Sequence, residues 1–197
     1  MKLIKHTNLI YEYENFVTDP ECNEIIKWLN PKLLKYKDNL DKIKNKTRHN
    51  TALNVTHLSP KDIDFKAYKK SHTIIENGHI AYINDNKFLK YITKNNYYGQ
   101  QVSGILYFRS YDTLDYYDWH IDASVDGKTQ LIYSFILYLN DNFEGGNTLF
   151  VNEKIKITPK IGSLLCFPCD LHHAHKSTKI LSGQKHILWC CLGKNFQ

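Results

Sequence analysis

The sequence predicts an α+β domain in which helices come first and an antiparallel β-sandwich or barrel follows. Three observations predict it. Helical signals are confined to the first 100 residues. From about residue 101 the segments become short and β-branched or aromatic. Asp-Gly, Glu-Gly-Gly-Asn, Pro-Lys-Ile-Gly and Ser-Gly-Gln turns separate them. Helices followed by strands give a layout in which helices buttress one sheet. The 197 residues suit a single domain. A chain of that size buries roughly 70% of its unfolded surface, so its core needs neither disulfide nor structural metal.

The elements follow in order. Leu9 to Tyr13 reads as a strand. Thr18-Asp19-Pro20-Glu21 then supplies a cap, a proline in the first turn and a glutamate three residues after Thr18. Cys22, Ile25, Ile26 and Leu29 share one face, which predicts a helix over 19–30. Residues 32–50 are lysine-rich and poorly periodic, and read as a helical turn or two and a loop. Ser59-Pro60 opens a second helix through 72, and a third covers 85–95. Eight strands are predicted at 102–111, 116–123, 131–140, 148–151, 154–158, 163–168, 173–177 and 185–193.

Composition excludes several classes. Apolar residues are 42%, charged residues 23%, and Gly plus Pro only 14, so the chain is neither collagen-like nor disordered. The net charge of +6 comes from 24 Lys and 2 Arg, Arg48 and Arg109, against 20 acidic residues. It is uneven: residues 32–70 hold 11 basic and 4 acidic residues, whereas 101–197 is balanced at 9 each. Nucleic-acid binders more often use arginine forks, so this stretch reads first as a solvated lysine face. No signal peptide and no apolar run of the ~18 residues a membrane span requires is visible, and the five cysteines are odd in number. The expectation is a cytoplasmic protein with reduced thiols and no membrane partner. Cys166, Cys169, Cys190 and Cys191 invite a zinc reading, but adjacent strand cysteines point to opposite faces, which favours core thiols. Tyr97-Tyr98 and Tyr116-Tyr117 read as core or rim aromatics before base-stacking platforms.

His120-Ile121-Asp122 ends the run Tyr116-Tyr117-Asp118-Trp119. On a strand, residues two apart face the same way, so a histidine and a carboxylate could share a metal. A distant histidine would complete a two-histidine, one-carboxylate triad, the open facial set of non-haem Fe(II). Leu171-His172-His173-Ala174-His175 offers three candidates, with His173 and His175 on one strand face. Lys185 follows ten residues after His175 and could hold a dicarboxylate by its far end.

Together these residues resemble the Fe(II)/2-oxoglutarate dioxygenases, in particular the prolyl 4-hydroxylase-like branch. The resemblance runs through Asn15–Cys22, Tyr111 and Tyr117 ahead of His120, Tyr138–Phe150 with Glu144-Gly145-Gly146, Pro159–Phe167, and the spacing of His175, Gly183 and Lys185. It implies a double-stranded β-helix (jelly-roll) core buttressed by N-terminal helices. Residues 1–100 would give helical support and substrate loops, and 101–197 the catalytic core. It implies catalytic, Fe(II)-binding roles for His120, Asp122 and His175. Lys185 would pair with the C5 carboxylate of 2-oxoglutarate, helped by Tyr111. Ser134, where the family usually has threonine, would line that pocket. Arg48 falls near the family's substrate-loop arginine in a loosely matching stretch.

The implied activity is hydroxylation of prolyl residues in a peptide or protein, with O2 as the other cosubstrate, 2-oxoglutarate converted to succinate, and ascorbate as a possible accessory. Two alternatives remain open at this level. One is an oxygenase acting on a nucleic acid or free small molecule, which the basic 32–70 stretch motivates. Against it, nucleic-acid dioxygenases usually hold 2-oxoglutarate with an arginine after the distal histidine, and none follows Arg109. The other is a degenerate jelly-roll binding module.

Overall fold

The computed structural model describes residues 1–35, 47–56, 65–94, 101–123 and 129–195. The chain begins with β1 (Lys2–Lys5), β2 (Tyr11–Glu14) and helix α1 (Asp19–Lys35). It continues through β3 (Arg48–His49), β4 (Thr51–Asn54), α2 (Phe65–Asp85) and α3 (Lys87–Lys94). Then come β5 (Gln101–Tyr111), β6 (Tyr116–His120), β7 (Thr129–Tyr138), β8 (Glu144–Gly145), β9 (Thr148–Phe150) and β10 (Ile155–Ile157). The last elements are β11 (Leu164–Pro168), a 3-10 turn (Leu171–His173), β12 (His175–Ser177), β13 (Ile180–Ser182) and β14 (Lys185–Asn195).

Seven strands form one antiparallel sheet in the order β1-β2-β11-β7-β14-β5-β4, and five form a second, β10-β9-β12-β6-β3. A short β13-β8 pair completes the set. The α+β jelly roll with N-terminal helices is therefore the observed architecture.

The large sheet is covered on both faces, and strand alternation divides its side chains accordingly. Phe135, Leu137, Leu164, Cys166, Leu188 and Cys190 turn to the helical side, where they meet Ile25, Leu29, Ile75 and Tyr82. Ile136, Tyr138, Leu165, Phe167 and Ile187 turn the other way and meet Phe150, Ile157 and Ile180. Burial on both faces explains why these strands read as near-continuous apolar runs.

Helix α1 starts as the capping residues predict, with the Thr18 hydroxyl and amide both donating to Glu21 Oε2 at 2.9 and 3.2 Å. It runs past the predicted end at 30 and carries Pro31 inside it. Leu33 is buried with Leu29, so packing of the apolar face extends the helix beyond its local stop signal. Helix α2 likewise continues past 72 to Asp85, because Ile74, Ile75 and Tyr82 keep a buried stripe on its inner face. The predicted start of that helix, at 60, lies outside the described residues. Gly78 lets α2 approach the sheet, since a Cβ there would meet Leu164 Cδ2 at 2.4 Å.

Five strands were not foreseen: β1, β3, β4, β8 and β13. Their residues carry no alternation of their own, and pairing alone defines them. Two predicted strands are shorter than expected. Residues 121–123 leave the sheet after His120, because the paired strand β12 begins at His175, directly opposite. Residues 171–173 form the 3-10 turn, capped by the Asp170 carboxylate, which accepts from the His172 amide at 2.9 Å.

Gly162 ties the N-terminal segment to the large sheet. Its carbonyl accepts from the amides of Phe16 and Val17 at 2.9 and 3.1 Å, and its own amide donates to Tyr138 O at 2.9 Å. Its φ is +73°, and a Cβ would lie 2.0 Å from Val17 O. Replacement Gly162→Ala combines a disfavoured backbone with a clash against main chain, and is expected to destabilise the protein by about 2 kcal/mol or more in denaturant unfolding.

Candidate active site

Sheet register creates the centre of the site. On the small sheet His120 ends β6 and His175 begins β12, and the two are directly paired. Directly opposed residues present their side chains to the same face, and the two rings have centroids 4.3 Å apart. Asp122, two residues beyond β6, turns into the same space. Its Oδ1 is 3.4 Å from His120 Nε2, and its Oδ2 is 3.6 Å from His175 Nε2. The three ligand atoms lie within 4.8 Å of one another.

Both histidines are oriented through their other nitrogen. His120 Nδ1 donates to Asp118 O at 2.7 Å, and His175 Nδ1 donates to His173 O at 3.1 Å. A carbonyl only accepts, so Nδ1 must carry the proton, and Nε2 presents a lone pair inward. This is the tautomer a metal requires. Tyr117 stacks on His120 at 3.4 Å, and Phe150 and Phe167 flank His175. Burial lowers the His175 pKa to about 4, which keeps its ring neutral.

Asp122 is held by a second set of contacts from the large sheet. Ser134 Oγ on β7 donates to Oδ2 at 2.6 Å, and Trp189 Nε1 on β14 reaches Oδ2 at 3.2 Å. Burial opposes ionisation of this carboxyl. The two adjacent imidazoles and the hydrogen bond from Ser134 outweigh it, holding the group well below the usual carboxylate range. Asp122 is therefore an anion with its lone pairs directed at the two Nε2 atoms.

The cleft beyond the triad has a volume of about 370 Å³, counted to its open mouth. Lys185, 2% exposed, lies within it. Its Nζ donates to Gly146 O at 2.7 Å and Ser177 Oγ at 3.1 Å, with the Tyr111 and Tyr138 rings 5.3 and 5.4 Å away. Lys185 and Tyr111 are directly opposed on β14 and β5. No carboxylate pairs with Lys185 among the described residues, and burial alone lowers its pKa to about 7. A buried ammonium with only neutral acceptors suits an anionic ligand. The donor set of two imidazoles and a carboxylate likewise fits Fe(II).

The structure thus brings His120, Asp122 and His175 together. It leaves out His172, whose side chain is exposed, and His173, whose Nδ1 is 2.7 Å from Asp170 Oδ1. The strand reading of 173–177 put His173 on the face of His175, but the 3-10 turn redirects it. Lys185 and Tyr111 line the cleft with the triad, while Ser134 stands behind Asp122 as its hydrogen-bond donor. All five cysteines are buried free thiols. Sequence reasoning missed Trp189 and Arg109, both of which line the cleft. Their two-residue steps from Ile187 and Tyr111 were the available signal.

The jelly roll with a facial triad and a buried lysine defines the class of non-haem iron, 2-oxoglutarate-type oxygenase folds. Residues 105–190 match the family described as the 2OG-Fe(II) oxygenase superfamily. That match spans 86 of the 197 residues, somewhat under half of the chain. A mimivirus protein provisionally named a prolyl 4-hydroxylase (Acanthamoeba polyphaga mimivirus) is 31% identical over 94 residues. That match covers 38% of this chain and 39% of the relative's length. The viral collagen prolyl hydroxylase of Paramecium Bursaria Chlorella virus-1, solved with 2-oxoglutarate, superposes with TM-score 0.70 at 19% identity, covering 94% of this chain and 96% of that one. A Pseudomonas putida prolyl-4-hydroxylase gives 0.63 at 14% identity, covering 94% and 92%.

Replacement Ser134→Ala removes the strongest donor to Asp122 Oδ2. It is expected to weaken Mn(II) or Fe(II) binding by about tenfold or more, measured by anaerobic metal titration.

Proposed function

We propose that the protein is an Fe(II)- and 2-oxoglutarate-dependent hydroxylase of a peptide or protein, acting on prolyl residues. One observation carries this reading: a triad whose two Nε2 lone pairs and ionised carboxylate converge on one space shares a cleft with a buried lysine that has no carboxylate partner among the described residues. The prolyl assignment draws on the relatives, several of which are named prolyl hydroxylases.

Each residue has a task in that reaction. His120, Asp122 and His175 would hold Fe(II) on one face and leave the opposite face open. Lys185, with Tyr111 beside it, would anchor the C5 carboxylate of 2-oxoglutarate at the far end of the cleft. Ser134 and Trp189 hold Asp122 in place, and the Tyr117 ring shields His120 from water. When bound, the iron supplies the chemistry by which O2 and 2-oxoglutarate yield succinate and CO2 as a substrate C–H becomes C–OH.

Anaerobic addition of Fe(II) and 2-oxoglutarate should produce the charge-transfer band of a chelated 2-oxo acid. His120→Ala is expected to abolish it. Lys185→Ala removes a charge-assisted hydrogen bond and should raise the 2-oxoglutarate Kd by about 10- to 100-fold. Turnover should give one succinate per 16-Da gain in a proline-containing peptide. Tight 2-oxoglutarate binding with no peptide turned over would remove the prolyl assignment and leave the cosubstrate site standing.

The depressed Lys185 pKa has a sign that can be checked. Above pH 7 the empty site holds a neutral amine, and a bound dianion restores the ammonium. Binding at pH 8 should therefore take up a proton that binding at pH 6 does not, as read by calorimetry in buffers of different ionisation enthalpy. In the ligand-free protein the unfolded lysine binds more protons than the folded one between about pH 7 and the ordinary lysine value. Lys185 then makes stability rise with pH across that window.

A further inference from the structure

Lys185 and the triad account for the metal and cosubstrate, and one buried cation in the same cleft is left without a task. Arg109, on β5, is 5% exposed and lines the cleft. Its Nε and Nη1 have no hydrogen-bond partner, and no carboxylate pairs with it among the described residues. Aromatic rings hold it instead: its Cζ is 4.5 Å from the Trp189 ring centroid, 5.2 Å from Tyr107 and 6.0 Å from Tyr117. Stacking fixes the guanidinium plane without consuming its N–H groups. The result is a rigid fork with free donors in a desolvated place, the arrangement that matches a carboxylate.

Register separates this fork from the cosubstrate anchor. Tyr111 opposes Lys185, whereas Arg109 opposes Ile187, two residues along the same strands. That step leads toward Trp189, whose indole reaches Asp122. Arg109 therefore stands on the metal side of the Lys185 anchor, where a substrate meets the reacting centre. The neighbouring strands β3 and β4 add one further cation, Arg48 on β3. β3 and β4 pair with β6 and β5, which sets Ala52 directly opposite Arg109 and brings Arg48 to the strand that carries His120. Arg48, the only other arginine in the chain, lies 5.2 Å from the Tyr117 ring.

We infer that Arg109 is a specificity-determining residue that pairs with a carboxylate of the substrate, an acidic side chain next to the residue that is hydroxylated. This inference rests on the hydroxylase reading and names its substrate class as an acidic peptide. The test compares two peptides with a central proline flanked by glutamate or by glutamine. The glutamate peptide is expected to have a kcat/KM at least tenfold higher, with the difference in KM. In Arg109→Gln the preference should collapse to within twofold, and Arg109→Lys should keep part of it. Equal use of both peptides by the unaltered protein would overturn the inference, whether or not the variants fold. A tenfold loss of 2-oxoglutarate affinity in Arg109→Gln would also overturn it, by assigning the arginine to the cosubstrate. If neither peptide is turned over, their binding to the Mn(II)- and 2-oxoglutarate-loaded protein is compared by fluorescence anisotropy. Tenfold tighter glutamate-peptide binding, lost in Arg109→Gln, upholds the arginine's role while the prolyl reading fails. Equal binding overturns the inference itself.

Discussion

The pairing of His120 with His175 across β6 and β12 is the constraint on which the site depends. Both histidines belong to the smaller sheet, yet the carboxylate between them is held from the larger one, by Ser134 on β7 and Trp189 on β14. The triad is thus a contact between two sheets as well as a ligand set. Any slip of register in either sheet would turn a ligand or its support to the opposite face. The apolar layer of Phe150, Phe167, Ile136 and Ile187 between the sheets fixes that relationship.

Charge in the cleft is arranged by the same geometry. One anion, Asp122, faces the two imidazoles, and two cations, Lys185 and Arg109, lie farther along β14 and β5 without carboxylate partners among the described residues. Natural proteins rarely bury a lysine or arginine unpaired. Here the backbone carbonyl of Gly146, the Ser177 hydroxyl and a set of aromatic faces make the arrangement tolerable. Such neutral acceptors stabilise a cation weakly enough that an incoming anion can still bind it.

Much of this was legible before any coordinates. Local patterns carry the α1 cap, the alternating strands of the second half and the spacing of His120, Asp122, His175 and Lys185, and the structure gathers those four around one cleft. Features that depend on partners were not legible. Nothing in Arg48-His49 or Thr51–Asn54 announces a strand, because their order comes from pairing with β6 and β5. His173 was placed on the wrong element, since one carboxylate, Asp170, turns that stretch into a 3-10 turn. Helices α1 and α2 outrun their local signals because burial of Leu33 and Tyr82 outweighs Pro31 and Gly78. Trp189 and Arg109 look like ordinary strand residues until register sets them opposite Ile136 and Ile187.

The place of β2 in the large sheet has a consequence for how the chain is made. Tyr13 pairs with Leu164, about 150 residues later. The β1-β2 hairpin therefore leaves the ribosome long before the strand that receives it exists. During that interval its edge is open, and open edges invite pairing with other chains. Lys2, Lys5, Glu12 and Glu14 place charges along the exposed hairpin, a common guard against such pairing. Closure over so long a span is also slow. Folding of the large sheet should thus finish with its first strands, after the metal-binding half has formed.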